Sequence, residues 1–266
     1  MKRIILLSFL GTLFLNAFSQ ETNIQFKLDS IIEEADLLYS YEKAIWKATD
    51  LLMADSKLNK NYGNYIVTHS NDTVITVFID KNQKQKIATY SFLKSNLSSP
   101  FKTEIDQSHL SNAEQELYEI KIKIINQLSE KKYEVSIPQN FNANVVLLKE
   151  PEGFKFYVLM GTTESGIIPF GNDYLFWADS KGTITNWQKF HSRLIPAQSK
   201  APKGEKVVSA IHSHLKTTPY ITATDICTFR LYGSLCGMEE FMVLSTATGK
   251  YYKYSLNTNK IEVVEP

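Results

Sequence analysis

Residues 210–229 read AIHSHLKTTPYITATDICTF, and this stretch determines how the C-terminal half of the chain is expected to fold. It begins as an apolar strand, turns through a polar segment and continues as a helix. Residues two apart in a strand point to the same face, so His212 and His214 can converge on one point. The turn then brings the carboxylate of Asp225 back toward them. The stretch therefore predicts a metal site, because imidazole and carboxylate groups are metal ligands.

The segments around this stretch predict a mixed β-sheet domain over residues 136–266. Runs of strand length recur there, and turn signals at residues 179–182 and 248–249 indicate two hairpins. The predicted strands are residues 145–149, 154–160, 173–178, 183–190, 207–214, 240–246 and 251–256. Residues 223–232 form the predicted helix, which follows the two histidines directly.

Residues 20–135 predict an N-terminal module of helices and a hairpin, which makes the whole chain α+β. Apolar residues recur at steps of three and four from about residue 26 to residue 55, the pattern of an amphipathic helix. The predicted strands of the module are residues 64–68, 73–80 and 86–93. A second helix is expected to begin at Ser111, which forms a capping box with Glu114. The mostly polar residues 136–144 predict the boundary between the two units.

The first nineteen residues predict a signal peptide. Lys2 and Arg3 give a basic start, residues 4–15 form an apolar run, and residues 17–19 form a small-x-small cleavage site. We therefore expect an exported protein, periplasmic or secreted, with no integral membrane segment after cleavage. Cleavage removes two basic residues and no acidic one, so the net charge changes from +1 to −1. Such a balanced charge predicts no nucleic-acid partner.

Two cysteines lie in this exported chain, Cys227 and Cys236. An oxidising compartment permits a disulfide between them. Two buried free thiols agree with the sequence equally well, and the geometry of the pair decides between the two alternatives.

His-Ser-His, ten residues and then Asp resembles the signature of the JAB/JAMM (MPN+) zinc metallopeptidases. Thr222 stands where the family has a serine three positions before the aspartate, and it keeps the hydroxyl group. Leu215 replaces the usual proline, which is a departure at a position that does not bind the metal. The resemblance covers about residues 145–260. It implies a JAB/JAMM-like domain of the cytidine-deaminase-like α/β/α type.

The resemblance also implies a chemistry. His212, His214 and Asp225 would bind Zn²⁺, with water as the fourth ligand. Zinc lowers the pKa of such a water to about 7 and so supplies a nucleophile. Thr222 would donate a hydrogen bond to the oxyanion. The expected activity is the hydrolysis of an amide or isopeptide bond in a peptide or protein substrate.

This chemistry also requires a glutamate as general base. Glu164 lies 48 residues before His212, and we favour it as the catalytic base. Glu152, ahead of an apolar strand, and Asp173 are the alternatives. If none of the three reaches the metal, the site binds zinc without hydrolysing a substrate. His191 follows a strand, and we interpret it as a structural histidine or as a group that supports the ligands.

A second interpretation gives these residues no chemistry. Thr222 and Asp225 can act as a capping box for the following helix, and the two histidines can be ordinary strand residues. The alternative function is then a non-catalytic extracytoplasmic binding protein with a degenerate JAMM-like domain.

Overall fold

The structure, a computed structural model, describes the backbone from Arg3 onward and the side chains from residue 23 onward. Its longest element is helix α1, Arg3–Ala54, which confirms the helix predicted for residues 26–55. The predicted signal peptide, residues 1–19, lies outside the residues whose side chains are described. Within the described part of the chain, no helix has both the length and the apolar character that a membrane span requires.

Helix α1 buries one stripe of apolar residues. The stripe comprises Leu28, Ile31, Ala35, Leu38, Ala44, Ala48 and Leu52. A second helix, α4, Ala223–Tyr232, packs against α1, with Tyr232 against Trp46 and Arg230 over the ring of Tyr39. Helix α4 belongs to the C-terminal half of the chain. One hydrophobic core therefore contains residues from both sides of the boundary that the sequence predicts near residue 136.

The N-terminal sheet is antiparallel, with its strands in chain order. Its strands are β1 (Tyr62–Ser70), β2 (Thr73–Asp80), β3 (Lys86–Leu93) and β4 (Lys102–Glu104). The first three confirm the strands predicted for this module. Helix α2, Ser56–Asn61, connects α1 to β1, and the side chain of Asp55 caps its first turn.

Helix α3, Asn112–Gln127, begins where the sequence predicts. The backbone N–H of Ser111 donates to Glu114 Oε2 at 2.7 Å, and the backbone N–H of Glu114 donates to Ser111 Oγ at 3.3 Å. This is the predicted capping box, which satisfies two backbone donors that the helix leaves free. A short 3-10 turn, Lys131–Tyr133, follows the helix.

The C-terminal half contains three sheets. An antiparallel sheet has the order β5-β6-β8-β9, and a two-stranded sheet pairs β7 with β10. The bounds of these strands are β5 (Phe141–Glu150), β6 (Gly153–Thr162), β7 (Ile167–Gly171), β8 (Tyr174–Asp179), β9 (Ile184–Lys189) and β10 (Leu194–Gln198). The short strands β7 and β10 are absent from the sequence prediction.

The third sheet carries the predicted metal-binding stretch. It has the order β11-β12-β13-β14, with β11 parallel to β12 and the remaining pairs antiparallel. Its strands are β11 (Ser209–His214), β12 (Glu240–Ser245), β13 (Tyr251–Ser255) and β14 (Lys260–Val264). Helix α4 and a 3-10 turn, Ser234–Cys236, connect β11 to β12. A parallel pair needs such a crossover connection.

Helices and several sheets together confirm the predicted α+β class. The more specific expectation of a JAB/JAMM-like fold stays a prediction.

Candidate metal centre

Four side chains bring potential metal ligands together in the core of the C-terminal half. They are His191, His212, His214 and Asp225, and one ligand atom from each lies within 4.8 Å of those of the others. Each of the four residues is 8% exposed or less. The structure thus brings together the three residues that the sequence predicts as ligands, and it adds His191. This buried group can hold a metal ion.

Strand β11 supplies two of the imidazoles because its side chains alternate between two environments. Ala210, His212 and His214 are buried, whereas Ile211 and Ser213 are exposed. This alternation is the two-residue period of a strand, and it aims both histidines at the start of α4. Both histidines therefore reach the group from a single strand.

The segment between β7 and β8 supplies the support for the third imidazole. Gly171 and Asn172 have φ of +77° and +52°, a region that favours Gly and Asn. A Cβ at Gly171 would lie 2.5 Å from the Arg193 carbonyl oxygen. These two residues turn the chain so that Asp173 reaches His191, which lies just beyond β9. The backbone N–H of Phe190 donates to the Asp173 carbonyl at 3.1 Å and ties the two segments together.

The nitrogen and oxygen atoms of the group are closely spaced. His214 Nε2 lies 2.7 Å from His191 Nε2 and 3.1 Å from His212 Nε2. Asp225 Oδ1 lies 3.4 Å from His191 Nε2 and 3.3 Å from His212 Nε2. Ligands of tetrahedral zinc at bond lengths of 2.0–2.1 Å would lie about 3.3 Å apart. The observed spacing is close to that value, with the His191–His214 contact the tightest.

Hydrogen bonds on the far side of two rings fix which nitrogen carries the proton. His214 Nδ1 lies 2.6 Å from the Tyr220 carbonyl oxygen, and His191 Nδ1 lies 2.6 Å from Asp173 Oδ1. Oxygen atoms of these types are acceptors, so each Nδ1 is the donor. In the neutral rings the Nε2 lone pairs then face each other across 2.7 Å. Such an arrangement needs a cation or an additional proton between the rings.

The two carboxylate oxygens of Asp225 have different partners. Oδ2 accepts from the backbone N–H of Thr222 at 3.0 Å and from its hydroxyl group at 2.6 Å. This is the capping box of α4, so the capping role considered from the sequence is present. Oδ1 is buried and has no hydrogen-bond partner in good geometry. A buried carboxylate oxygen left without a partner is costly, and a bound cation would satisfy it.

The charges of the group shift two pKa values. Burial disfavours the charged form of His191, but the carboxylates of Asp173 and Asp225 outweigh burial and raise its pKa to about 9. Burial also opposes ionisation of Asp225. The neighbouring imidazoles of His191, His214 and His212 outweigh that effect and hold the pKa of Asp225 well below its usual range. Asp225 is therefore an anion within a group of basic nitrogens.

The chemistry of these donors fits Zn²⁺. Imidazole nitrogen and carboxylate oxygen are both zinc ligands, and four of them complete a tetrahedral shell. Hydrogen bonds behind His191 and His214 orient the rings as in known metal sites, where the second ring nitrogen donates to oxygen. Imidazole nitrogen and carboxylate oxygen also bind other first-row transition metals.

The predicted base Glu164 lies away from this group. Its side chain is exposed on the loop after β6 and lines a groove of about 870 Å³ with Leu235 and Cys236, which follow α4. The backbone N–H of Thr162 ties that loop to the hydroxyl group of Tyr232 at 3.3 Å. Tyr232 is the last residue of α4, about 10 Å along the helix axis from Asp225. Glu164 thus lines a different groove and does not face the four candidate metal ligands.

Of the other two candidate bases, Glu152 lies far from the group and Asp173 lies next to it. Glu152 is exposed in the turn between β5 and β6, next to Gly153, which pairs with the far end of β8. It lies about 20 Å along the sheet from Asp173, since six residues separate Asp173 from Asp179 and each strand residue advances about 3.3 Å. Asp173 contacts the group through His191, and its second oxygen accepts a hydrogen bond from Thr224.

Thr222, predicted as an oxyanion donor, already has an acceptor for its hydroxyl proton. A hydroxyl group has one proton, and the 2.6 Å contact directs it to Asp225 Oδ2. In this arrangement the proton does not point toward a substrate.

The two cysteines, Cys227 and Cys236, are free thiols and both are buried, which selects the second of the two alternatives considered from the sequence.

No protein-family model matches the chain, and no similar protein was found among curated proteins or among solved structures. The likeness to the JAB/JAMM family therefore depends on the motif in residues 210–229 and on the residues that it brings together.

Proposed function

We propose that the protein is an exported zinc-dependent hydrolase that cleaves an amide or isopeptide bond in a peptide or protein. The observation that carries this proposal is the set of convergent acceptors: ring nitrogens of His191, His212 and His214 around Asp225 Oδ1, which has no hydrogen-bond partner. Such a set is stable when a cation occupies it. The JAB/JAMM-like spacing of the motif is the second argument, and it suggests the reaction.

The residues of the chain have separate tasks in this proposal. His212, His214 and Asp225 bind the ion, and His191 adds a fourth donor. Burial of all four groups excludes bulk water and strengthens their electrostatic interactions. A zinc ion bound to them would lower the pKa of a coordinated water to about 7 and so supply a nucleophile. Hydrolysis adds the elements of this water across the C–N bond.

Access to the group is possible along strand β11. A groove of about 210 Å³ lies between β10 and β11, and it is lined by His212, one of the four candidate metal ligands. Phe170, Ile195 and Ile211 make its walls mostly apolar. An extended peptide with apolar side chains suits such a groove.

A second candidate function is a zinc protein without turnover. Two observations favour it: four protein donors complete a tetrahedral shell, which is typical of structural zinc sites, and Glu164 does not face the group. This is the non-catalytic extracytoplasmic binding protein considered from the sequence. The two functions share the metal and differ in hydrolysis.

Zinc content tests what the two candidates share. Wild-type protein dialysed against Zn²⁺ and then against buffer should retain one ion per chain, measured by atomic emission. The His212→Ala/His214→Ala double variant should retain less than about a tenth of that amount, because two of four ligands are gone. Wild-type protein that retains no zinc would refute both functions.

Hydrolysis separates the two candidates. Zinc-loaded protein is incubated with a library of unstructured and isopeptide-linked peptides, and products are measured by mass spectrometry. Glu164→Gln tests the predicted base: loss of cleavage with zinc retained would assign that role to Glu164, and unchanged cleavage would exclude it, as its position away from the four ligands suggests. Glu152→Gln, an exposed glutamate at the distant end of the sheet, is the matched control and should cleave at the wild-type rate. A zinc-loaded wild type that cleaves nothing supports the second candidate.

A further inference from the structure

A series of close polar contacts between side chains, three of them hydrogen bonds, joins His191 to Asp225 behind the atoms that would bind a metal. Asp225 Oδ2 accepts from Thr222 at 2.6 Å, Thr222 Oγ1 lies 2.9 Å from Thr224 Oγ1, and Thr224 donates to Asp173 Oδ2. Asp173 Oδ1 accepts from His191 Nδ1 at 2.6 Å. All five residues are 7% exposed or less. His191 Nε2 lies 3.4 Å from Asp225 Oδ1, so this series of contacts begins and ends at the same pair of residues.

The count of protons fixes the direction of these hydrogen bonds. Ionised carboxylates only accept, so each threonine donates its one hydroxyl proton to a carboxylate. Thr222 donates to Asp225, and Thr224 donates to Asp173. Asp173 therefore receives one hydrogen bond on each oxygen, from Thr224 and from His191. Two hydrogen bonds fix the orientation of its carboxylate and, through it, the imidazole of His191.

The location of His191 explains why it needs this support. His212 and His214 are placed by β11, and Asp225 by the first turn of α4. His191 lies between β9 and β10, outside any helix or strand. Thr224 belongs to the same helical turn as Asp225, so one turn of α4 fixes a ligand directly and His191 indirectly.

We propose that Asp173 and Thr224 are positioning residues that make His191 the fourth ligand of the metal centre. The inference rests on the metal-binding part of the proposed function and does not depend on hydrolysis. Loss of the Thr224 hydroxyl group leaves one oxygen of a buried carboxylate without its donor. His191 then loses its fixed orientation, and the ion keeps three protein ligands. Removal of a hydrogen bond behind a ligand weakens metal binding by about 10- to 100-fold.

Cobalt provides the measurement, because Co²⁺ replaces Zn²⁺ in such sites and its visible absorption is strongest when it is four-coordinate. Absorption and Kd are measured by titrating Co²⁺ into metal-free protein. Thr224→Val keeps the shape of the side chain and removes the hydroxyl group. It should change the visible spectrum, because water replaces the His191 nitrogen on the ion, and raise Kd by about 10- to 100-fold. His191→Ala should give the same spectral change.

Two further variants are controls for this measurement. Thr224→Ser restores the hydroxyl group and should bind Co²⁺ within about threefold of wild type, since the hydrogen bond to Asp173 is regained. Thr228→Val changes another buried threonine, one turn further along α4, and should leave spectrum and Kd unchanged. Circular dichroism of each variant establishes that it is folded. If Thr224→Val does not fold, Asp173→Asn, which keeps size and weakens the acceptor, takes its place.

Each outcome supports or refutes the inference. Equal spectra and Kd values for wild type and Thr224→Val would refute the positioning role without contradicting the proposal that the four residues bind a metal. An unchanged spectrum in His191→Ala would show that His191 is not a ligand, with the same consequence. Wild-type protein that binds neither Co²⁺ nor Zn²⁺ would refute the inference together with the proposed function.

Discussion

Two clusters of buried ionisable side chains in the described part of the chain balance their charges in different ways. The first is the metal group, in which three imidazoles surround the carboxylate of Asp225. The second lies between α1, α3 and β5, where Asn144 donates to Glu42 Oε2 at 2.8 Å and Lys121 provides a cation that attracts Glu42. Lys121 also donates to the Tyr65 carbonyl at 2.7 Å. A protein lysine thus performs in one cluster what an external ion would perform in the other.

The pKa values of the second cluster show how it accommodates burial. Burial raises the pKa of Glu42 to about 7, against the opposing effects of Asn144 and Lys121. Burial lowers the pKa of Lys121 to about 7, against the attraction of Glu42. The two groups can exchange a proton and become neutral together. In the metal group Asp225 stays ionised, and the balancing positive charge is a proton on His191 or a bound cation. This difference indicates a structural role for one cluster and a ligand for the other.

The largest expected effect comes from adding zinc. An ion present at about 1,000 times its Kd that binds the folded state alone adds about 4 kcal/mol to the free energy of unfolding. His214→Ala should lose this increment, since it removes the ring that contacts both other imidazoles. Glu42→Gln should keep all of it, because the second cluster does not bind the ion. Urea unfolding with and without zinc measures both variants. A zinc increment that Glu42→Gln abolishes would contradict the division between the clusters.

The next effect concerns Lys121. Lys121→Met leaves a buried carboxyl group without its cation and should lower the free energy of unfolding by about 3 kcal/mol at pH 7, where Lys121 is still partly protonated. The pKa of Glu42 is raised above its unfolded value, so its ionisation opposes folding as pH rises from about 4.5 through about 7. The variant should therefore recover stability when the pH falls from 8 to 5.

The double variant Glu42→Gln/Lys121→Met is the control for this prediction. It removes both charges, and its stability at pH 8 should exceed that of Lys121→Met alone. A single variant that is equally stable at pH 5 and pH 8 would show that Glu42 does not titrate between those values.

The third effect distinguishes the clusters by the pH dependence of metal binding. Zinc must displace a proton from His191, whose pKa in the metal-free protein is raised to about 9. Apparent zinc affinity should rise about tenfold per pH unit between pH 7 and pH 9 and then level off. His191→Ala should lose this slope and Lys121→Met should keep it. Competition with a chromogenic chelator measures the affinity at each pH.

The same titration affects stability without metal. The pKa of His191 is raised above its ordinary value of 6.5, so its stabilising effect is complete below that pH and disappears as pH rises through about 9. Metal-free protein should thus unfold at lower urea concentration at pH 9.5 than at pH 6. A flat profile in wild type would contradict the arrangement of His191 between Asp173 and Asp225.

The sequence predicted the parts of the metal group that local periodicity determines. The alternation of β11 places His212 and His214 on one face, and the capping pattern places Asp225 in the first turn of α4. His191 could not be found in this way. It lies in an irregular segment, and it approaches the group only through the pairing of β7 with β10 and the turn at Gly171. The sequence signal available for His191 was the small number of histidines, since the chain has five and three of them belong to the group.

The choice of Glu164 illustrates the same limit. Spacing along the chain suggested it, but the direction of the loop after β6 depends on a long-range hydrogen bond between Thr162 and Tyr232. Contacts between segments 70 residues apart leave no periodic pattern in the sequence. The helix capping of Ser111 and Glu114, by contrast, spans three residues and was predicted correctly.

The smallest expected effect separates the capping role of Thr222 from its predicted role in catalysis. Thr222→Ala removes the cap of α4 and should lower the free energy of unfolding of metal-free protein by about 1 kcal/mol. Thr222→Ser retains the hydroxyl group and should lose less than half of that. Urea unfolding without metal measures both, so that substrate and ion play no part. If Thr222 acted only on an oxyanion, the two variants would unfold at the same urea concentration as wild type. A measurable loss in Thr222→Ala instead shows that the hydroxyl oxygen of Thr222 accepts from the backbone N–H of Asp225 and caps α4.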